Sequence, residues 1–173
     1  MKVAITQLFD GHSEITALWF ETLLHYSLVS TVSEEYYNFD EIGAAALLML
    51  AHKFGIDMDV ERARNVLKPM LSAQPYPDVL PSLKKLKESG FRIAALTNSS
   101  KKSMETQLKN AGLDIIFDRM MSVEEIGMYK PKRDVYQWAS REMGTRCEQS
   151  LFVAAHGWDI AGAQSVGMKT AFI

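Results

Sequence analysis

The stretch Leu151-Phe152-Val153-Ala154-Ala155-His156-Gly157-Trp158-Asp159-Ile160-Ala161-Gly162-Ala163 constrains the fold more than any other in this chain. Its first five residues form a short apolar run without polar alternation, as expected of a strand covered on both faces. A polar loop with His156 comes next, and Asp159 stands where a helix begins and can cap its amides. In open α/β sheets, a strand leading through a loop into a helix start delivers side chains to the crevice where ligands bind.

The same texture extends back to the prolines Pro75 and Pro77. A helix is expected from Val79 to Ser89, ended by Gly90, and then a strand over Phe91-Arg92-Ile93-Ala94-Ala95-Leu96. Further helices fall near Lys102 to Ala111, closed by Gly112, and from about Arg133 to Met143; further strands fall at Met120 to Ser122, Leu151 and Lys169 to Ile173. This alternation predicts an α/β fold with a Rossmann-like, doubly wound parallel sheet.

From Ser13 to about Leu71 the pattern is helical instead, with Ile15, Leu18, Trp19, Thr22, Leu23 and Tyr26 recurring at three and four. The opening Lys2-Val3-Ala4-Ile5-Thr6 reads as a strand. The expected organisation is therefore an α/β core of residues 1–12 and 73–173, with a helical cap, 13–72, inserted after the first strand.

A chain of 173 residues that is 47% hydrophobic supports one core with a smaller helical appendage. Its net charge of -2 arises from interspersed acids and bases, which argues against a nucleic acid or an anionic membrane and for a small molecule or a protein partner. The single cysteine, Cys147, cannot form an internal disulfide, and no apolar run approaches the roughly 20 residues of a membrane span. A cytoplasmic protein is expected.

Polar groups collect at three strand ends: Thr97 with Asn98 and Ser99, Lys130 before Pro131, and His156 with Asp159. Alone, Thr97 or Asp159 would read as a helix cap and Lys130 as a solvated loop residue. Together at successive βα junctions they describe a site in which a hydroxyl and amides hold an oxyanion, a lysine supplies positive charge and an aspartate orients the lysine.

These segments resemble the haloacid dehalogenase superfamily, and within it the (S)-2-haloacid dehalogenase branch. The likeness is carried by Gln74-Pro75-Tyr76-Pro77-Asp78-Val79, Ala95-Leu96-Thr97-Asn98-Ser99-Ser100, Tyr129-Lys130-Pro131 with Tyr136, and Val153-Ala154-Ala155-His156-Gly157-Trp158-Asp159. The resemblance implies a helical cap on a Rossmann-like core, and an aspartate that displaces halide from C2 to form an ester cleaved by water. It implies that Thr97 holds the substrate carboxylate or the ester oxygens, that Lys130 adds charge there and that Asp159 pairs with Lys130. Asn98 and Ser99 would complete the cradle, Tyr136 would support the lysine loop, and Trp158 would line the substrate site. His156, where many relatives carry asparagine, is a candidate base for the hydrolytic water, against the ordinary alternative of a hydrogen-bonding loop residue. The loop offers a single carboxylate, whereas phosphatases of the superfamily generally surround Mg²⁺ with several; a metal-free, cofactor-free reaction on a short 2-haloalkanoic acid is expected. The resemblance also implies a homodimer.

The chain departs from the family in three places. The first motif, an aspartate at the end of strand one followed by an aromatic, glycine and threonine, is absent: Lys2 to Thr6 matches the strand that precedes this motif, and Leu8-Phe9-Asp10 matches the segment after it. Asp10 is the one nearby acid that could serve as nucleophile, and it reads more naturally as a turn or cap residue. Phe20 follows Trp19 where relatives carry an arginine for the leaving halide, and Ile173 ends the chain where relatives continue, so the sheet edge is expected to lack covering elements. The expectation is thus a dehalogenase-like hydrolase impaired in this form, with the alternative of a non-catalytic remnant that binds a small carboxylate or a protein partner.

Overall fold

The computed structural model describes residues 2–9 and 14–173, with side chains from Ile5 onward in the first segment. Asp10 lies outside the described residues. The chain begins with helix α1 (Lys2–Leu8), which corrects the expected strand at Lys2 to Thr6. The physical reason is spacing: Ile5 and Phe9, four residues apart, are both buried, and the Phe9 amide donates to the Ile5 carbonyl at 3.3 Å. Over so short a run, alternation and helical periodicity cannot be told apart. Helix α1 packs on α2 (Glu14–Val32) and α4 (Val60–Leu67), so its apolar face is covered by helices.

Helix α2 buries Ile15, Trp19, Leu23, Ser27 and Ser30, a stripe at spacings of four and three that crosses α3 (Phe39–Lys53). At the crossing, the Trp19 indole N–H donates to the Gly43 carbonyl at 2.9 Å. Asn38 and Glu41 form a reciprocal capping box at the start of α3. A short 3₁₀ segment, Lys68–Ser72, closes the helical region.

The alternating half keeps the expected order. Helix α5 (Val79–Glu88) ends in a Schellman motif in which Gly90, at φ +84°, donates to Lys87 O and Phe91 donates to Leu86 O. Strand β1 spans Ala94–Thr97, three residues later than expected at its start because Phe91 is exposed and pairing begins only once Asp118 N–H reaches Ile93 O. Helix α6 (Lys101–Asn110), β2 (Arg119–Ser122), α7 (Arg133–Glu142), β3 (Leu151–Ala154), α8 (Gly157–Gln164) and β4 (Lys169–Phe172) complete the chain.

All strand pairing is parallel, with Thr97 opposite Ser122 in β1 and β2 and Val153 opposite Ala171 in β3 and β4. In place of one continuous sheet, the described residues form two separate pairs. In a parallel ladder, successive peptides point to opposite sides. The bond from Asp118 to Ile93 turns residues 93, 95 and 97 towards β2, so Ala94 and Leu96 present a free edge. By the same alternation, Lys169 N to Ser150 O and Ile173 N to Ala154 O leave Leu151 and Val153 on a free edge of β3. The segment expected to supply a further strand, Lys2 to Thr6, is helical.

Candidate functional site

The free edge of β1 is where the charged centre sits. Lys130 Nζ donates to the Leu96 carbonyl at 3.2 Å and to Asp159 Oδ2 at 2.6 Å. Lys130 is 8% exposed and Asp159 4%, so this is a buried ion pair. The second carboxylate oxygen, Asp159 Oδ1, accepts from the Tyr136 hydroxyl at 2.6 Å, which also lies 3.2 Å from the Asp159 carbonyl. The lysine ammonium lies 5.6 Å from the Phe152 ring centre and 5.9 Å from that of Trp158. Among the described residues its third proton has no acceptor, which leaves one charge-assisted donor for a ligand.

Local structure explains why these groups meet. Tyr136 and Val135 lie on the buried face of α7, and Asp159 is the third residue of α8. The two helices approach closely at Gly162, one turn beyond Asp159: a Cβ there would lie 2.6 Å from Tyr136 Cε2 and 2.7 Å from Pro131 Cβ. Asp159 does not cap α8, which corrects that expectation. The N-cap position is His156, with no side-chain cap bond, and the Asp159 carboxylate is instead held by Lys130 and Tyr136. A carboxylate in the first turn of a helix is favourably placed on the macrodipole in either arrangement.

Burial pushes the Lys130 ammonium below the usual lysine range, and the Asp159 charge and hydrogen bond offset part of that shift. Burial, reinforced by the Asp159 carboxylate, raises the Tyr136 hydroxyl well above the usual phenol range, so it remains a donor.

The turn after β1 adjoins this centre. Asn98, buried, accepts the Lys130 amide N–H on Oδ1 at 3.2 Å, beside the cis Lys130–Pro131 peptide. Thr97 Oγ1 accepts the Ser99 amide at 3.1 Å, and the Ser99 carbonyl accepts the Ser122 hydroxyl at 2.7 Å. Thr97, Asn98, Ser99, Lys130, Tyr136 and Asp159 therefore belong to one connected region. His156 is exposed, and its ring lies tilted against those of Phe20 at 5.6 Å and Trp158 at 5.5 Å between centres, so the Trp158 ring that flanks the lysine continues into an aromatic cluster reaching α2. Sequence reasoning missed Gly162, the Leu96 carbonyl and the Ser122 anchor. Of these only Gly162 left a sequence signal, a glycine on the same helix face one turn after the aspartate.

Comparison with known proteins agrees with this arrangement. A family model of haloacid dehalogenase-like hydrolases matches residues 10–173. The (S)-2-haloacid dehalogenase of Pseudomonas sp. (strain YL) is 32% identical over 168 residues, covering 96% of this chain and 72% of that one. Haloacetate dehalogenase H-2 of Moraxella sp. (strain B) is 29% identical over 160 residues, covering 92% and 71%. The structure of the L-2-haloacid dehalogenase from Xanthobacter autotrophicus with chloropropionic acid covalently bound superposes with a TM-score of 0.89 at 27% identity, covering 97% of this chain and 68% of that one. With the lysine, aspartate and tyrosine array in place and the match running through the whole α/β half, the chain belongs to the haloacid dehalogenase-like hydrolases, in the branch of the (S)-2-haloacid dehalogenases.

Proposed function

We propose that this chain takes the carboxylate of a short 2-haloalkanoic acid between the Thr97-Asn98-Ser99 turn and Lys130, and that in this form it is impaired in turnover. The observation that carries the reading is the buried Lys130, whose charge is held by Asp159 and whose third donor is free among the described residues. Thr97 and Ser99, in the turn whose Asn98 accepts the Lys130 amide, would supply the further polar groups a carboxylate needs. Its relatives include an (S)-2-haloacid dehalogenase and a structure with chloropropionic acid covalently bound.

In the full reaction a carboxylate oxygen of the protein attacks C2 and halide leaves with the bonding electrons. Water then cleaves the ester to give the 2-hydroxy acid and restore the carboxylate. Lys130 would stabilise the oxygens of the ester, Asp159 and Tyr136 would hold the lysine, and Trp158 and Phe20 would give the halogen an apolar wall. His156, exposed and in contact with both aromatic rings, would be the base for the water. The attacking carboxylate is the missing part: Asp10 is the acid nearest the expected position, and Phe20 replaces the arginine expected to take the halide. Loss of that guanidinium removes charge-assisted bonds worth about 1.5–3 kcal/mol each.

Incubation with (S)-2-chloropropionate, read by halide release and by the shift in thermal unfolding, tests this. Protection against unfolding with little or no halide release is expected. Vigorous release abolished by Asp10→Asn would overturn the impairment and make Asp10 the nucleophile; neither protection nor release would overturn the site. Protection without release also fits a remnant that only binds a carboxylate, a reading favoured by the absent first motif. A homodimer, which the resemblance implies, belongs to the same proposal and is read by sedimentation velocity. Among the described residues no helix is long and apolar enough to cross a membrane.

A further inference from the structure

The Thr97–Ser100 turn is held from three directions. Two holders lie in the α/β half: the Lys130 amide on Asn98 and the Ser122 hydroxyl on the Ser99 carbonyl. The third comes from the helical region. Asp40, in the first turn of α3, accepts the Ser100 hydroxyl at 2.5 Å and the Ser103 hydroxyl at 2.7 Å, both on Oδ2. Ser100 is the N-cap of α6 and also accepts the Ser103 amide at 3.2 Å. Both serines are buried, at 5% and 7% exposure, while Asp40 reaches them from an exposed position.

One carboxylate thus lies at the N-termini of two helices, α3 and α6, from the two halves of the fold. Both ends favour a negative charge, and two hydroxyls are committed to the same oxygen. The neighbouring ties between the halves, the Tyr129 amide on Thr31 Oγ1 at 2.9 Å and the Tyr129 hydroxyl on the Tyr37 carbonyl at 2.6 Å, reach the lysine loop and leave the turn alone. Among the described residues Asp40 is the helical-region side chain bonded to the turn segment.

We infer that Asp40 is a positioning residue: through Ser100 and Ser103 it fixes the Thr97–Ser100 turn to α3, so that the seating of the helical region sets the geometry of the anion cradle. The inference rests on the carboxylate-binding reading for its consequence and on the hydrogen bonds alone for its mechanism. Removing Asp40 would let the turn move relative to Lys130 while leaving the lysine, its aspartate and its tyrosine in place.

The test uses the whole chain with propionate, an unreactive carboxylate, as the probe. In Asp40→Ala, amide hydrogen exchange at Ser99–Ser103 is expected to quicken at least about tenfold, and propionate affinity measured on folded protein to weaken about tenfold, the scale of one lost bond to a charged group. Asp40→Asn keeps an acceptor oxygen and should recover most of both. If Asp40→Ala fails to fold, Ser103→Ala removes one of the two hydroxyl donors and keeps the Ser100 cap; an effect of the same sign and smaller size is expected. Unchanged exchange at Ser99–Ser103 overturns the latch. Faster exchange with unchanged affinity overturns the positioning role. A wild-type chain that does not bind propionate sinks the carboxylate reading, and the exchange result then decides the latch on its own.

Discussion

The lysine centre and the Ile5 and Phe9 side chains of the amino-terminal segment are both buried, yet they are specified in different ways. At Lys130 each group is held by several others: the ammonium by Asp159 and Leu96 O, the carboxylate by Lys130 and Tyr136, the loop by Asn98. At α1 the described anchors are two apolar side chains, Ile5 and Phe9, packed among helices. A buried charge must find its partner or fail to fold, so its sequence signature is sharp. An apolar pair is satisfied by a helix or a strand alike, so its signature is weak.

The largest expected effect comes from breaking the first region. Asp159→Ala strands the ammonium of Lys130 and a hydroxyl of Tyr136, and breaking a buried pair in this way costs about 3–5 kcal/mol. Urea unfolding followed by circular dichroism reads it directly. The double variant Lys130→Met with Asp159→Leu should recover much of the loss, since both charges go together. A single Asp159→Ala within about 0.5 kcal/mol of wild type would mean that the pair is not buried in solution.

Breaking the second region tests the helix. Ile5→Ala is expected to cost about 2–5 kcal/mol, as for a fully buried isoleucine. The amides from Ile5 to Phe9, which lie beyond the unpaired first turn, should show the protection of a helix in the wild-type chain. No loss of stability in Ile5→Ala would mean that this helix is not packed against α2 and α4 in solution.

A smaller effect sharpens how the site is packed. Gly162→Ala would press a methyl against Tyr136 and Pro131, and overpacking of this kind costs typically about 1–3 kcal/mol. Because the displaced ring is the one bonded to Asp159, carboxylate affinity should fall with stability. A variant of wild-type stability and affinity would show that α8 can slide away from α7 without cost.

The contrast also explains what was legible in the sequence. The order of helices and strands after Pro77 comes from apolar runs punctuated by glycines, two of which, Gly90 and Gly112, close Schellman motifs at positive φ. Lys130 and Asp159 were legible because polar residues collect at successive strand-to-helix junctions, and Tyr136 was legible only through the resemblance to the family. The division of the sheet into two pairs was not, because it depended on the ambiguous Lys2 to Thr6 run. Asp40 was invisible for another reason: its partners lie 60 and 63 residues away, and an aspartate in a helix first turn already has a local explanation.

The smallest expected effect is a dependence on pH that separates Tyr136 from its neighbour. The Tyr136 hydroxyl is raised above its ordinary value near 10 by burial and then by Asp159, so the folded chain keeps a proton that the unfolded chain gives up. Its contribution is present in full below about pH 10 and is lost as pH rises from there towards the folded value, at up to about 1.4 kcal/mol per pH unit. Lys130 acts in the opposite sense. Its folded value is depressed by burial, so between that value and the ordinary lysine value of 10.5 the unfolded chain binds more protons and stability rises with pH. The two slopes oppose each other near pH 10. In Tyr136→Phe the alkaline loss due to Tyr136 disappears, so the stability gap between wild type and variant should narrow above pH 10 and stay constant from pH 7 to 9. Urea midpoints measured across pH 7–11.5 decide it. A gap that stays constant throughout would mean that the phenol titrates alike in the folded and unfolded chains, and that Asp159 does not hold its proton.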